Sequence, residues 1–469
     1  MPALTRKATL IAAVVFTIAF PTPSVRSDSP TPLADDAATY GKRDTANLVA
    51  SKALKGAVNK DVVGLTFDYN HVIVDGQSLS VGADSHIAIT TTPTAGTVMV
   101  GNSVTYNLDN PTVFSPLVAG PGDEQPVVGA VNYFRYLANN FPPNSSKTIV
   151  GSSVGVSGRT VEALSKGAPK PYYPRLVGAV TAAKKAAADL GKTYGVTALC
   201  WVQGESNYPP TPDAVSTKGE YKAKLLKLRE DFIADAVTGT AAQKQIPAFV
   251  TYQTGGSYSN DVNGLAIGMA QWELTQETPG CYLATPAYPF VDYGGHLTAN
   301  GYRWMGAAFG KVLNKVIVER HLWQPLAPRS VAQKDRTISI DFFVPEPPLV
   351  FESPYIGRKK YPLFGDRGFT VLDDQGVVPI IGARIVLSTI VELTVGRDTV
   401  GEVTVRYADK ARHDGNGDLR DSDPTLSKDV YVYDEANGIQ RPDEKLDELI
   451  GKPYPLYNWC IAFSLPAKK

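Results

Sequence analysis

The sequence predicts an α/β domain built on a mostly parallel sheet, followed by a region that is nearly all β. Three observations point there. From about residue 66 to 320, short apolar runs bounded by glycine or polar turns alternate with segments of helical periodicity. The alternation stops near residue 321. Beyond it, β-branched residues dominate.

The apolar runs Val72–Val74, Thr148–Val150, Thr197–Val202 and Ala248–Tyr252 have the length of buried strands. Between them, Val128–Asn140, Pro174–Leu190 and Tyr221–Ala236 carry apolar residues at helical spacing, and Ala299–Arg320 is a long amphipathic segment. HLWQPLAPRS, from His321 to Ser330, reads as a proline-bearing linker. RTISIDFFV, RIVLSTIVEL and GEVTVRYA follow, partly alternating and separated by Gly, Pro and Asp, so 336–469 is expected to be a sandwich-like accessory domain. A cut between about residues 321 and 335 is expected to leave a folded fragment, 28–325, that still hydrolyses a small acetyl ester.

Ahead of the sheet, Arg6 and Lys7 precede the apolar run Ala8 to Phe20. That run is too short to cross a bilayer and suits the core of an export signal over residues 1–27, cut at Asp28. The mature chain is then secreted or periplasmic, with no membrane span. Residues 28–65 begin polar and proline-bearing, which reads as a loose arm or linker. Lys+Arg and Asp+Glu are both 46, so there is no net field to collect nucleic acid. Three cysteines, Cys200, Cys281 and Cys460, allow at most one bridge and have no metal-ligand spacing.

Four stretches carry chemistry. GQSLS (Gly76–Ser80), SGRTVEAL (Ser157–Leu164) and WVQGESN (Trp201–Asn207) follow strand-like runs, and VDYGGHLTANGY (Val291–Tyr302) precedes the last helix. In parallel sheets ligands bind beyond the carboxyl ends of the strands, which is where these stretches fall. A hydrolytic serine needs a base, a group to orient that base and donors for the oxyanion, and the four supply one of each. Of the five histidines, His71, His86, His296, His321 and His413, only His296 lies in a glycine-bearing loop ahead of a helix with an acid nearby.

The order GQS, a glycine turn, WxQGES and then D…HLTxxGY resembles the SGNH (GDSL-type) hydrolase superfamily, within it the carbohydrate O-acetylesterase branch of sialate O-acetylesterase-like and acetylxylan esterase-like proteins. The resemblance covers roughly residues 66–320. It implies a three-layer sandwich and a serine esterase that removes O-acetyl groups from a carbohydrate through an acetyl-enzyme intermediate, with no cofactor and no metal. Ser78 matches the nucleophile and His296 the general base. The N–H groups of Ser78 and Gly158 and the side chain of Gln203 match the oxyanion donors. Glu205 reads as a structural carboxylate.

The acid departs from the family's spacing. The position three residues before His296 is Tyr293, and the acid is Asp292, one residue earlier. Gly294 and Gly295 offer room for a bulged turn that lets Asp292 reach the imidazole. The alternative is a backbone carbonyl in that role, leaving a Ser–His dyad. Two rival functions stay open: a general lipase or esterase, and a non-catalytic carbohydrate-binding or phage-tail-like attachment protein. HDGNGDLRDSD (His413–Asp423), with Asp414, Asn416 and Asp418 at alternate positions, begins like a calcium loop but lacks the glycine and the terminal glutamate of one, and reads better as a polar hairpin turn.

Overall fold

The computed structural model describes residues 37–469 except 86, 121, 142–143, 209–210, 212–213, 257–258, 261–263, 355–362 and 439–444. The expected export signal at residues 1–27 lies outside the described residues.

A helix, α1 (Ala37–Gly56), opens the described chain. Seven strands then form one sheet: β1 (Tyr69–Gly76), β2 (Thr97–Val100), β3 (Phe114–Pro116), β4 (Thr148–Ser153), β5 (Tyr194–Val202), β6 (Ala248–Gln253) and β7 (Cys281–Pro286). Their order is β3-β2-β4-β1-β5-β6-β7, with only β3 antiparallel to its neighbour. From β1 the chain runs out to β2 and β3 on one side, returns to place β4 beside β1, and then adds β5, β6 and β7 on the other side, so the change of direction falls at the carboxyl end of β1. The four runs expected as strands are β1, β4, β5 and β6.

Alternation along β1 sends Val72 and Val74 to one face and Ile73 to the other. One face is covered by α3 (Pro126–Ala138) and α8 (Ala299–Leu313), the other by α5 (Pro174–Asp189), α6 (Lys218–Phe232) and α7 (Ala266–Glu277). This is the expected three-layer sandwich. The second sheet, which is antiparallel, runs in the order 327–334, 337–343, 390–395, 380–386. A third contains 376–378, 369–373, 404–407 and 463–466. Ile338, Ile340, Phe342, Phe369, Val405 and Phe463 fill the core between them.

Two segments differ from expectation. The arm ahead of the sheet contains α1, which lies on the β region: Tyr40 Oη donates to Glu392 at 2.5 Å, Arg43 pairs with Asp341 at 2.8 Å and Thr389 donates to Asp44 at 2.7 Å. Its buried residues, Tyr40, Asp44, Asn47 and Ser51, recur at helical spacing but three of the four are polar. Such a helix carries no apolar periodicity.

The proline-bearing stretch after residue 320 is also packed. Leu326 is fully buried, and Trp323 Nε1 donates to Leu283 O at 2.9 Å. Beyond it, the β region adheres to α8. Lys311, 5% exposed at its side chain, donates to Asp423 (3.0 Å), Leu456 O (2.5 Å) and Asn458 (2.7 Å). Trp304 stacks on Tyr454 at 5.1 Å between ring centres. Tyr431, Leu446, Leu449, Tyr454 and Leu456 belong to the same apolar core as α3 and α8. A chain ending at residue 326 exposes this face, so it is expected to aggregate or to lose its near-ultraviolet circular dichroism. A soluble 37–326 fragment melting within a few degrees of the full chain contradicts that.

The three cysteines are free and buried, and burial pushes the thiols up, Cys281 to about 11. His71 is likewise interior, bound to Tyr194 Oη at 2.7 Å and Ser152 Oγ at 3.0 Å, with burial depressing it to about 3. In the HDGNGD stretch, His413 sits between Asp409 (3.0 Å) and Asp366 (2.9 Å), and Asp414 takes a left-handed conformation at φ 50° that turns the chain. Among the described residues no cluster of His, Cys, Asp and Glu is arranged to hold a metal.

Candidate active site

The site lies at the carboxyl edge of the sheet, at the switch point. Ser78 begins the one-turn helix α2 (Ser78–Val81) immediately beyond β1 and Gln77. As the first helical residue it carries a backbone N–H that has no acceptor within the helix. Gln77 N bonds Val202 O at the end of β5 (3.0 Å), and its side-chain oxygen accepts from Gly204 N (3.2 Å) and Ser206 N (3.0 Å). On the other side, Val156 N bonds Gly76 O (2.9 Å). The turns after β1, β4 and β5 are thereby locked to one another around the serine.

His296 reaches Ser78 from the far end of the sheet. A two-residue strand, β8 (Asp292–Tyr293), pairs antiparallel with β9 (His296–Leu297), and Gly294 (φ 61°) with Gly295 (φ 99°) makes the turn between them. Two positive φ angles in a row are what a tight hairpin of this kind requires. Thr298 then caps α8, its Oγ accepting from Gly301 N at 3.1 Å, which fixes where the hairpin emerges. His296 Nε2 stands 2.7 Å from Ser78 Oγ.

The carboxylate on the other imidazole nitrogen is that of Asp84, 2.7 Å from Nδ1. Asp84 lies only six residues after the serine. After α2, Gly82 takes φ 77°, and a Cβ there would stand 2.5 Å from Glu124 O, so only glycine fits. Tyr302 Oη donates to Ala83 O at 2.8 Å and anchors the loop to α8. Asp84 itself is left-handed, φ 61°, a conformation aspartate tolerates better than most side chains.

Asp292, the acid expected from the sequence, is not the ion-pair partner of His296. In the hairpin it sits opposite Leu297, and Tyr293 opposite His296. Side chains alternate between the faces of a ribbon, so Asp292 and Leu297 share one face and His296 lies on the other. The glycines make a regular tight turn, not the bulge that would have rotated Asp292 toward the imidazole. Asp292 is 8% exposed, packed beside Gly256.

The expected oxyanion donors divide. Gly158 follows β4 in an exposed turn with φ 68° and nothing within 4 Å of where a Cβ would stand. Gln203 is different. Its Nε2 donates to Asn207 Oδ1 (2.7 Å) and Arg159 O (3.2 Å), and its Oε1 accepts from Tyr221 Oη (2.8 Å). Both amide hydrogens of Gln203 are used within a fully buried brace.

Beneath the serine, Glu205 accepts from Tyr252 Oη, and burial raises its carboxyl to about 7. Asp75, the second residue before Gln77, is also raised to about 7 by burial, against a hydrogen bond from Gly76 N and the charge of Arg175. Neither meets His296.

No protein-family model and no curated protein matches the chain. Among solved structures, the fold is similar to that of a carbohydrate acetylesterase from Xanthomonas citri, at TM-score 0.53 and 13% identity, over 84% of this chain and 80% of that one. Weaker likenesses are to a protein from Arabidopsis thaliana (TM-score 0.39, 13% identity, 52% of this chain and 97% of that one) and to a carbohydrate esterase family 2 enzyme from Corynascus thermopiles (0.29, 12%, 52% and 65%). The architecture, a seven-stranded mostly parallel sheet between helices with antiparallel sheets after it, is that of an SGNH-type fold joined to a β region.

Proposed function

We propose that the protein is a secreted serine esterase that removes O-acetyl groups from a carbohydrate. One observation carries the reading: Ser78, His296 and Asp84 stand in series at 2.7 Å and 2.7 Å at the switch point of the sheet. Asp84 accepts from Nδ1–H, which leaves the Nε2 lone pair to take the serine proton. Ser78 Oγ attacks the acetyl carbonyl as His296 takes that proton. The oxyanion is held by the N–H groups of Ser78 and Gly158, and Asp84 stabilises the imidazolium. His296 returns the proton to the departing sugar oxygen, leaving acetyl-Ser78. Water, deprotonated by His296, then attacks, and acetate leaves as Oγ recovers its proton.

Ser78 is 4% exposed, which favours a short acyl group over a fatty chain. The carbohydrate class is supported by the motif resemblance and by what the Xanthomonas citri protein is named for. No helix among the described residues is long and apolar enough to cross a membrane.

The chain recovered from the medium or periplasm of an expressing host is expected to begin near Asp28 and to release acetate from some members of a panel of O-acetylated polysaccharides. It should act on p-nitrophenyl octanoate at least ~10-fold more slowly than on p-nitrophenyl acetate, since each misfit methylene in a tight pocket is worth roughly 1 kcal/mol or more. Octanoate hydrolysis matching acetate hydrolysis, with no acetate from any polysaccharide, contradicts the reading.

A further inference from the structure

The turn that carries Gly158 continues into a charge cluster that the proposed reaction does not use. Arg159 holds its guanidinium carbon 5.2 Å from the centre of the Tyr172 ring. Lys170 places Nζ 5.3 Å from the centre of the same ring. The ring attracts each cation, while the two like charges repel each other. Among the described residues neither cation has an ion-pair partner, and Arg159 Nε is buried with no hydrogen-bond acceptor at all. Among the described residues, the acidic side chains on the flanking elements are engaged elsewhere. Glu162 accepts from Val215 N (2.9 Å) and Asn207 Nδ2 (3.2 Å), and Asp235 pairs with Lys166 (2.7 Å).

The position of this cluster is fixed relative to the serine. Arg159 O accepts from Gln203 (3.2 Å), and the residues after Gln203 are bonded to the Gln77 side chain that precedes Ser78. Arg159 is therefore a neighbour of the oxyanion turn, on a backbone that is held. In a chain with 46 basic and 46 acidic residues, an unneutralised pair at this place is a local feature and not a reflection of bulk charge.

We propose that Arg159 and Lys170, each placed against the Tyr172 ring, form a subsite for a carboxylate of the saccharide, so that the preferred substrate is an acidic sugar polymer. A guanidinium presents a planar fork that matches a carboxylate, and a bound anion removes the repulsion between the two cations. The proposal rests on the reading of the Gly158 turn as part of the ester site.

The test separates binding from hydrolysis by using the Ser78→Ala protein. Calorimetry compares an O-acetylated oligogalacturonate with an O-acetylated xylo-oligosaccharide of equal length. The acidic oligomer is expected to bind about 10-fold or more tightly, with a preference that shrinks between 50 and 200 mM salt in ratio to the charges engaged. Arg159→Gln and Lys170→Gln, each made in that background, should each reduce the preference, and Arg159→Lys should restore part of it. Lys170 is exposed, so its variant tests the subsite without a risk to folding. Equal affinities, no binding of the acidic oligomer, or a preference that survives both substitutions overturns the proposal. Absence of turnover by the unmodified protein would count against the esterase reading and leave the binding result standing by itself.

Discussion

Ser78→Ala is expected to lower the turnover of acetyl esters by roughly 10⁵–10⁶-fold, and His296→Ala by a similar factor, because in the proposed reaction nucleophile and base act as a unit. The double variant is expected to be no slower than either single one. Both side chains stand on backbone held by other contacts: Ser78 by the Gln77 and Gly82 bonds, His296 by the hairpin and the Thr298 cap. Neither substitution removes a core group, so the melting temperature should stay within a few degrees of the unmodified protein. Steady-state rates with p-nitrophenyl acetate, read beside the melting curve, check this. Losses of less than ~10²-fold in a folded Ser78→Ala protein, or additive losses in the double variant, contradict the shared role.

The second large effect concerns the acid. Asp84→Asn keeps the left-handed backbone, which asparagine also tolerates, and removes the charge that faces Nδ1. The amide can present its NH₂ to Nδ1 and favour the wrong tautomer, so a loss of ~10²–10³-fold in kcat is expected. The loss is set below that of a buried triad because the Asp84 side chain is 62% exposed and water replaces part of its field. Asp292→Asn, by contrast, is expected to change kcat by less than ~10-fold, with its effect in the melting temperature, since Asp292 is buried on the other face of the hairpin. The reverse ordering of the two variants would return Asp292 to the site and take Asp84 out of it.

The sheet was legible in the sequence because its strands are buried on both faces and read as unbroken apolar runs, Val72–Val74 and Thr197–Val202 among them. The helices that cover it, α3, α5 and α8, keep apolar spacing for the same reason. What stayed hidden depends on polar contacts made over long separations. α1 docks through Asp44 and Asn47, and the stretch after His321 through Trp323, neither of which has a periodic signature.

At the site, Ser78 and His296 were legible as residue types in a telling order, and the distance between them is a product of the fold. Asp84 lies outside the histidine motif and is brought to His296 only by the fold. A signal for it was present: Gly82 just past a one-turn helix, then an aspartate two residues on, implies a chain that doubles back toward its own serine. At Gln203 the structure adds what a motif does not record, that both amide hydrogens are already bonded, to Asn207 and to Arg159 O.

The central claim, that Ser78 is an activated nucleophile served by His296, is tested most directly by a fluorophosphonate probe followed by peptide mass spectrometry. The account predicts one probe-sized mass addition per chain, placed on Ser78 of the peptide that spans the carboxyl end of β1, complete within minutes in the unmodified protein. In the His296→Ala protein the addition should be slower by at least ~10³-fold, and it should be absent from Ser78→Ala. Labelling that spreads over several serines, or that proceeds on Ser78 at the same rate without His296, would contradict the account.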